Sequence, residues 1–144
     1  MTRRCTIAPL QAMHFTPPQL VALSADVGAW GCGVRLLPVA PGVAYYPLHE
    51  NAPMLRETLA CMADRGVAMF DLELVRVVPG LQVDDLLPVF DVGQRLGAKV
   101  LNVIGADPDP SRLAATYGAL CDAAARFGLS CDVEPVPWSA VADV

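Results

Sequence analysis

Charged and amide side chains interrupt the apolar stretches of this chain where a buried strand should carry none. Asp71, Glu73 and Arg76 stand within Val67–Val77, Asn102 within Ala98–Ile104, and Asp132 and Glu134 within Leu129–Glu134. A charge inside an otherwise apolar strand is costly unless it is paired or holds a metal. Arg35 adds a guanidinium to Gly33–Val39, and His14 follows the apolar run Cys5–Ala12. Glu134 is the foremost candidate, because it closes its strand immediately before Pro135, where a carboxylate can point into a strand-end pocket. Oxygen donors of this type suit Mg²⁺, Mn²⁺ and similar ions. A carboxylate paired with an arginine would explain the same residue. Arg76 follows Glu73 closely, so an ion pair between them competes with a catalytic role. Asp71 and Asp132 share side-chain direction with Glu73 and Glu134 by the two-residue period of a strand. Both are expected deeper, hydrogen-bonded or paired within the sheet. His14 is either at the mouth of a pocket or a partly exposed polar group. His49, in a proline-rich loop, is expected in solvent.

The elements that must position these groups alternate in kind. After the first apolar run, Thr16-Pro17-Pro18 reads as a helix start, continued by Leu20, Leu23 and Val27 to Gly28. Gly33–Val39 reads as a buried strand. Asn51-Ala52-Pro53 caps a helix with Leu55, Leu59 and Met62 on one face and Gly66 past its end. Val67–Val77 is the third strand, Pro79-Gly80 a turn, and Val83-Asp84-Asp85 opens a helix that stops at Gly97. Ala98–Ile104 is the fourth strand, Asp107–Ser111 starts a helix ending at Phe127-Gly128, and Leu129–Glu134 is the fifth strand. Strand-helix order repeated four times, with near-continuous apolar strands, implies right-handed βαβ units on a parallel sheet covered on both faces. A doubly wound flavodoxin-like sheet and the first part of a (β/α)₈ barrel both fit, and both place ligands at the C-terminal strand ends.

The composition narrows the classes. The chain has 144 residues, one domain by length, with 54% hydrophobic and 17% charged residues. That excludes disorder, and no apolar stretch is long and uninterrupted enough to span a membrane. The net charge is −5, the only lysine is Lys99, and Arg3-Arg4 is the only basic pair, so a nucleic-acid-binding face is not expected. The start does not read as a signal peptide, because Pro9 cuts its apolar run short. Five cysteines at irregular spacing, with no C-x-x-C, exclude a structural zinc site and suggest buried reduced thiols in a cytoplasmic protein.

Several familiar chemistries fail on the residues. Gly31-Cys-Gly33 leads into a strand and meets Leu36 where a dinucleotide fingerprint needs its last glycine. No P-loop and no G-x-S-x-G elbow is present. A response-regulator receiver needs an acidic pair after the first strand and a lysine after the fifth, where this chain has Met13-His14 and Pro135.

Three segments together resemble the sugar phosphate isomerase/epimerase family, the xylose isomerase-like TIM barrels. They are Asp71-Leu-Glu-Leu-Val-Arg76, Gly97-Ala-Lys-Val-Leu-Asn-Val-Ile-Gly105 and Asp132-Val-Glu-Pro-Val-Pro-Trp138, with Leu120–Gly128 similar to the family's connecting helix. The resemblance runs from about Thr6 to the end. It implies parallel βα repeats forming the first part, about five strands and four helices, of a TIM-like barrel, with residues 1–144 a single partial domain. It further implies that Glu134 is the first of four ligands to a divalent metal (Mn, Mg, Co or Zn). In the epimerases of the family this Glu also belongs to the acid/base pair that moves a proton next to a sugar carbonyl. His14, Arg35, Glu73, Arg76 and Asn102 would then line the pocket of a sugar or sugar phosphate.

The departure from the family lies after Trp138, where no Asp, His and Glu from later strands follow. The chain is therefore expected to be the N-terminal portion of such a barrel and inactive alone, with Ser139–Val144 opening a fifth helix. Two copies would supply ten strands rather than eight, which disfavours a homodimeric barrel, although an exposed sheet edge could support self-association. The alternative is a non-catalytic α/β module that binds a small molecule or a partner. A base-flipping repair enzyme of the endonuclease-four type would need a basic groove and several histidines; this chain has only His14 and His49.

Overall fold

Prolines and glycines set most of the element boundaries in the computed structural model, which describes residues 4–142. Strand β1 is Thr6–Ile7, shorter than the apolar run suggested, because Pro9 cannot donate to a ladder and instead opens a 3₁₀ turn over Pro9–Ala12. Helix α1, Pro17–Asp26, starts on two prolines, and the Gln19 side chain accepts the Thr16 amide at 2.9 Å. Strand β2 is Gly31–Arg35; it starts two residues earlier than expected and ends before Pro38. Helix α2, Ala52–Arg65, is capped by Asn51, whose Oδ1 accepts the Met54 amide at 3.1 Å. Gly66 closes it in the left-handed region at φ +66°.

Strand β3 is Ala68–Val77, β4 is Val100–Gly105 and β5 is Ser130–Val133. Helix α3, Leu87–Leu96, follows a 3₁₀ turn over Val83–Leu86, and α4 is Pro110–Ala125. Asp109 caps α4 by accepting the Ser111 and Arg112 amides. No helix of the described residues is long and apolar enough to cross a membrane.

All five strands are parallel, in the order β1-β2-β3-β4-β5. A doubly wound sheet reverses its order at a switch point, whereas a barrel adds each strand beside the last. The strictly sequential order decides for the barrel arrangement. The side facing the helices is the core: Leu72, Leu101 and Val103 are buried there with Phe90, which lies against Phe127 at 5.9 Å between ring centres. Gly93 allows α3 this close, because a Cβ there would come within 2.6 Å of Leu72.

Two expectations change. Ser139 and the residues that follow it through Ala142 form turns and irregular chain rather than a helix opening; Asp143, Val144 and Arg3 lie outside the described residues. Among the cysteines only Cys32 is buried, its thiol pushed up to about 11 chiefly by desolvation. Cys61, Cys121 and Cys131 are half-buried and Cys5 is exposed.

Candidate functional site

The strand period places one set of side chains on the face of the sheet away from the helices. Along β4 the burial alternates, with Leu101, Val103 and Gly105 buried and Val100, Asn102 and Ile104 half-buried. On β3, register shifts lie on either side of Asp71–Leu72, one between Cys32 and Gly33 on β2 and one between Leu72 and Val75. Bulges of this kind re-aim side chains near functional sites. They set Asp71 beside Gly33 and Glu73 beside Arg35.

Glu73 is paired, but with Arg35 rather than with Arg76. Arg35 Nη2 donates to Glu73 Oε2 at 2.7 Å, and the two side chains are 6% and 12% exposed. The reason is register: Arg35 is the direct cross-strand neighbour of Glu73, whereas Arg76 lies beyond the bulge opposite Ile104. Arg76 is exposed and makes no ion pair among the described residues. Burial pushes the Glu73 carboxyl above its ordinary value; Arg35 holds it down in part, and the nearby Asp71 and Glu134 push it further up.

Asp71 behaves as its position suggested. Asn102 Nδ2 donates to its Oδ2 at 2.8 Å, and burial, partly offset by that bond, raises its carboxyl. Gly33 makes room for it: a Cβ there would meet Asp71 Oδ1 at 2.5 Å. Asp132 differs from its twin. It lies opposite Asn102 on β5, the last strand of the described sheet, and is exposed.

These groups border two adjoining cavities at the C-terminal strand ends. One, of about 350 Å³, is lined by Arg35, Glu73, Arg76 and Glu134, with Leu10 and Trp138 at its apolar walls. The other, of about 430 Å³, brings Asp71, Glu73, Asn102, Asp132 and Glu134 together. Glu134 belongs to both; it is exposed, and its amide donates to the Val103 carbonyl at 2.8 Å, which anchors the strand end. His14 is on an exposed turn and borders neither cavity. His49 is half-buried rather than in solvent, with Nδ1 enclosed and unbonded.

Sequence reasoning missed Leu10, Met13 and Trp138 as cavity walls, since apolar residues at turns carry no chemical signature. It also missed the role of Gly33, which only the cross-strand register reveals. The oxygen-rich donor set has the character a hard cation prefers. No three His, Cys, Asp or Glu side chains among the described residues are grouped to hold a metal, so they do not build a complete metal site.

Neither the protein-family models nor the curated proteins give a match to this chain. Solved structures do. A xylose isomerase domain containing protein from Salmonella typhimurium LT2 superposes with a TM-score of 0.72 at 16% identity, over 96% of this chain and 52% of that one. A xylose isomerase-like TIM barrel/4-hydroxyphenylpyruvate dioxygenase fusion protein gives 0.71 at 20% identity, over 97% of this chain and 23% of that one. The probable 3-DHS dehydratase AsbF of Bacillus anthracis, involved in petrobactin synthesis, gives 0.69 at 9% identity, over 92% and 52%. The chain spans about half the length of the Salmonella and Bacillus structures. Its five parallel strands in sequential order, four helices and half-length matches give it the fold of the first part of a xylose isomerase-like TIM barrel.

Proposed function

We propose that this chain carries one side of the active site of a divalent-metal-dependent sugar or sugar-phosphate isomerase or epimerase. The observation that supports it is the meeting of Glu73 and Glu134 with Arg35 and Arg76 around one cavity at the C-terminal strand ends, where barrel enzymes hold their substrates. Glu134 is free to take a proton from the carbon next to a carbonyl. Arg76 lies where it can face the negative charge that develops on the carbonyl oxygen, or a phosphate. Arg35 holds Glu73 in place, and Asn102, steadied by Asp71, keeps its amide oxygen for a substrate hydroxyl. His14, outside both cavities, takes no part in this reading.

A divalent ion would polarise the carbonyl, with Glu134 giving one oxygen and the other ligands coming from outside this chain. The chain alone is therefore expected to turn over no ketose in the presence of Mn²⁺ or Mg²⁺. In a polypeptide that continues through the rest of a barrel, Glu134→Gln is expected to lower kcat about 10²–10⁴-fold. Unchanged kcat in that variant would overturn the role of Glu134, and turnover by the chain alone would overturn its expected inactivity.

A further inference from the structure

Two thiols meet on the helix side of the sheet. Cys131 on β5 is the register partner of Leu101, which is buried under the helices, so its side chain points the same way. It is half-buried and packs against the core. On α4, Leu113, Tyr117, Leu120 and Ala124 turn one face toward the sheet. Cys121, one turn beyond Tyr117, flanks that face and is half-buried. The Tyr117 hydroxyl donates to the Cys131 carbonyl at 2.8 Å, which fixes α4 against β5 at this point. The Cys121 thiol neighbours both the Tyr117 hydroxyl and the Cys131 thiol.

The other cysteines are placed differently. The Cys61 thiol donates to the Pro18 carbonyl at 3.4 Å, Cys32 is closed off from solvent, and Cys5 is exposed just before β1. Desolvation, with Cys121 beside it, pushes the Cys131 thiol up to about 12, so it keeps its proton at neutral pH. First attack on an oxidant therefore falls to Cys121, with Cys131 placed to resolve the product.

We propose that Cys121 and Cys131 form a reversible disulfide, with a small-molecule disulfide such as glutathione disulfide as the oxidant. Cys121 Sγ bonds to one sulfur of glutathione disulfide as its S–S bond breaks, and one glutathione leaves. Cys131 Sγ then bonds to Cys121 Sγ, and the second glutathione leaves. The two thiol protons end on the two glutathiones, and the two electrons lost by the cysteines reduce the glutathione disulfide. The crosslink ties α4 to the strand that leads to Glu134. It rests neither on the chemistry proposed for Glu134 nor on what lies beyond β5.

Trypsin makes the pair easy to read, because Arg112 precedes both cysteines and Arg126 separates them. The full chain is equilibrated natively with glutathione disulfide, free thiols are blocked with iodoacetamide, and the nonreduced digest is analysed by mass spectrometry. The expected product is residues 113–126 joined to 127–144, two hydrogens lighter than their sum and separated by dithiothreitol. The crosslinked chain is expected to melt about 5–10 °C higher than the reduced one, since the closed loop restricts the unfolded chain. In Cys131→Ser, Cys121 is expected to retain glutathione, while Cys61→Ser leaves the linked pair in place. The proposal is overturned if Cys121 and Cys131 stay free or each carries its own glutathione. It is equally overturned if nonreducing gels show the link joining separate chains, or if the crosslinked chain melts no higher than the reduced one.

Discussion

On the helix side of the sheet, Cys32, Val34, Leu72, Val75, Leu101 and Val103 are each at most 2% exposed. Alternating with them along the same strands stand Arg35, Asp71, Glu73, Asn102 and Asp132, with Glu134 just past β5; Asp132 and Glu134 are exposed. The backbone serving both faces is one and the same, so the contrast is a matter of what covers each. Helices α1 to α4 lie over the first face and make it the core. The second face is what a barrel turns toward its axis and its ligand-binding end. Stability and chemistry thus occupy alternate positions of one strand pattern.

Three substitutions probe that division. The largest effect is expected on the helix side: Phe90→Ala, which empties a fully buried ring site against Phe127, should cost about 3–5 kcal/mol in urea unfolding. A cost below that of the polar-face variants would break the comparison.

Arg35→Met on the polar face should cost less, about 1.5–3 kcal/mol at neutral pH, because it strands the Glu73 carboxylate without its partner. The loss should shrink on acidification, as Glu73 takes up a proton and no longer needs the guanidinium. A pH-independent loss would mean that Arg35 acts through packing alone.

Asp71→Asn should be the smallest and of opposite sign, a slight gain in stability at neutral pH. The Asp71 carboxyl is raised by burial above its ordinary 3.8, so its contribution to the fold is fully present below that value and lost as pH rises through the raised one. Asparagine removes that loss, so thermal melts of the two proteins should coincide in strong acid and separate toward neutrality. A destabilised variant at neutral pH would show that the Asn102 bond needs the charge.

Much of this molecule could be read from its residues. The βα alternation, the caps at Thr16, Asn51 and Asp109, and the closures at Gly66 and Gly97 follow from local backbone chemistry, and each acts within a few residues of itself. The candidate carboxylates were visible because charges in apolar strands are costly anywhere. Less legible was β1, which ends at Ile7 because Pro9 imposes a turn within the run Cys5–Ala12.

Partnership was beyond the sequence, because it depends on register. Arg76 is three residues from Glu73, yet Arg35, distant in the chain, is the one that meets it across β2 and β3. Asp71 and Asp132 carry the same local pattern, but one is enclosed between neighbouring strands and the other stands on an edge. The choice between a doubly wound sheet and a barrel was of the same kind: both use identical βα units, and only the spatial order of the strands separates them. Composition and periodicity determined which elements form and which of their residues could do chemistry. Tertiary structure alone decided which of those residues meet, because pairing across parallel strands is set by crossover geometry and bulges rather than by separation along the chain.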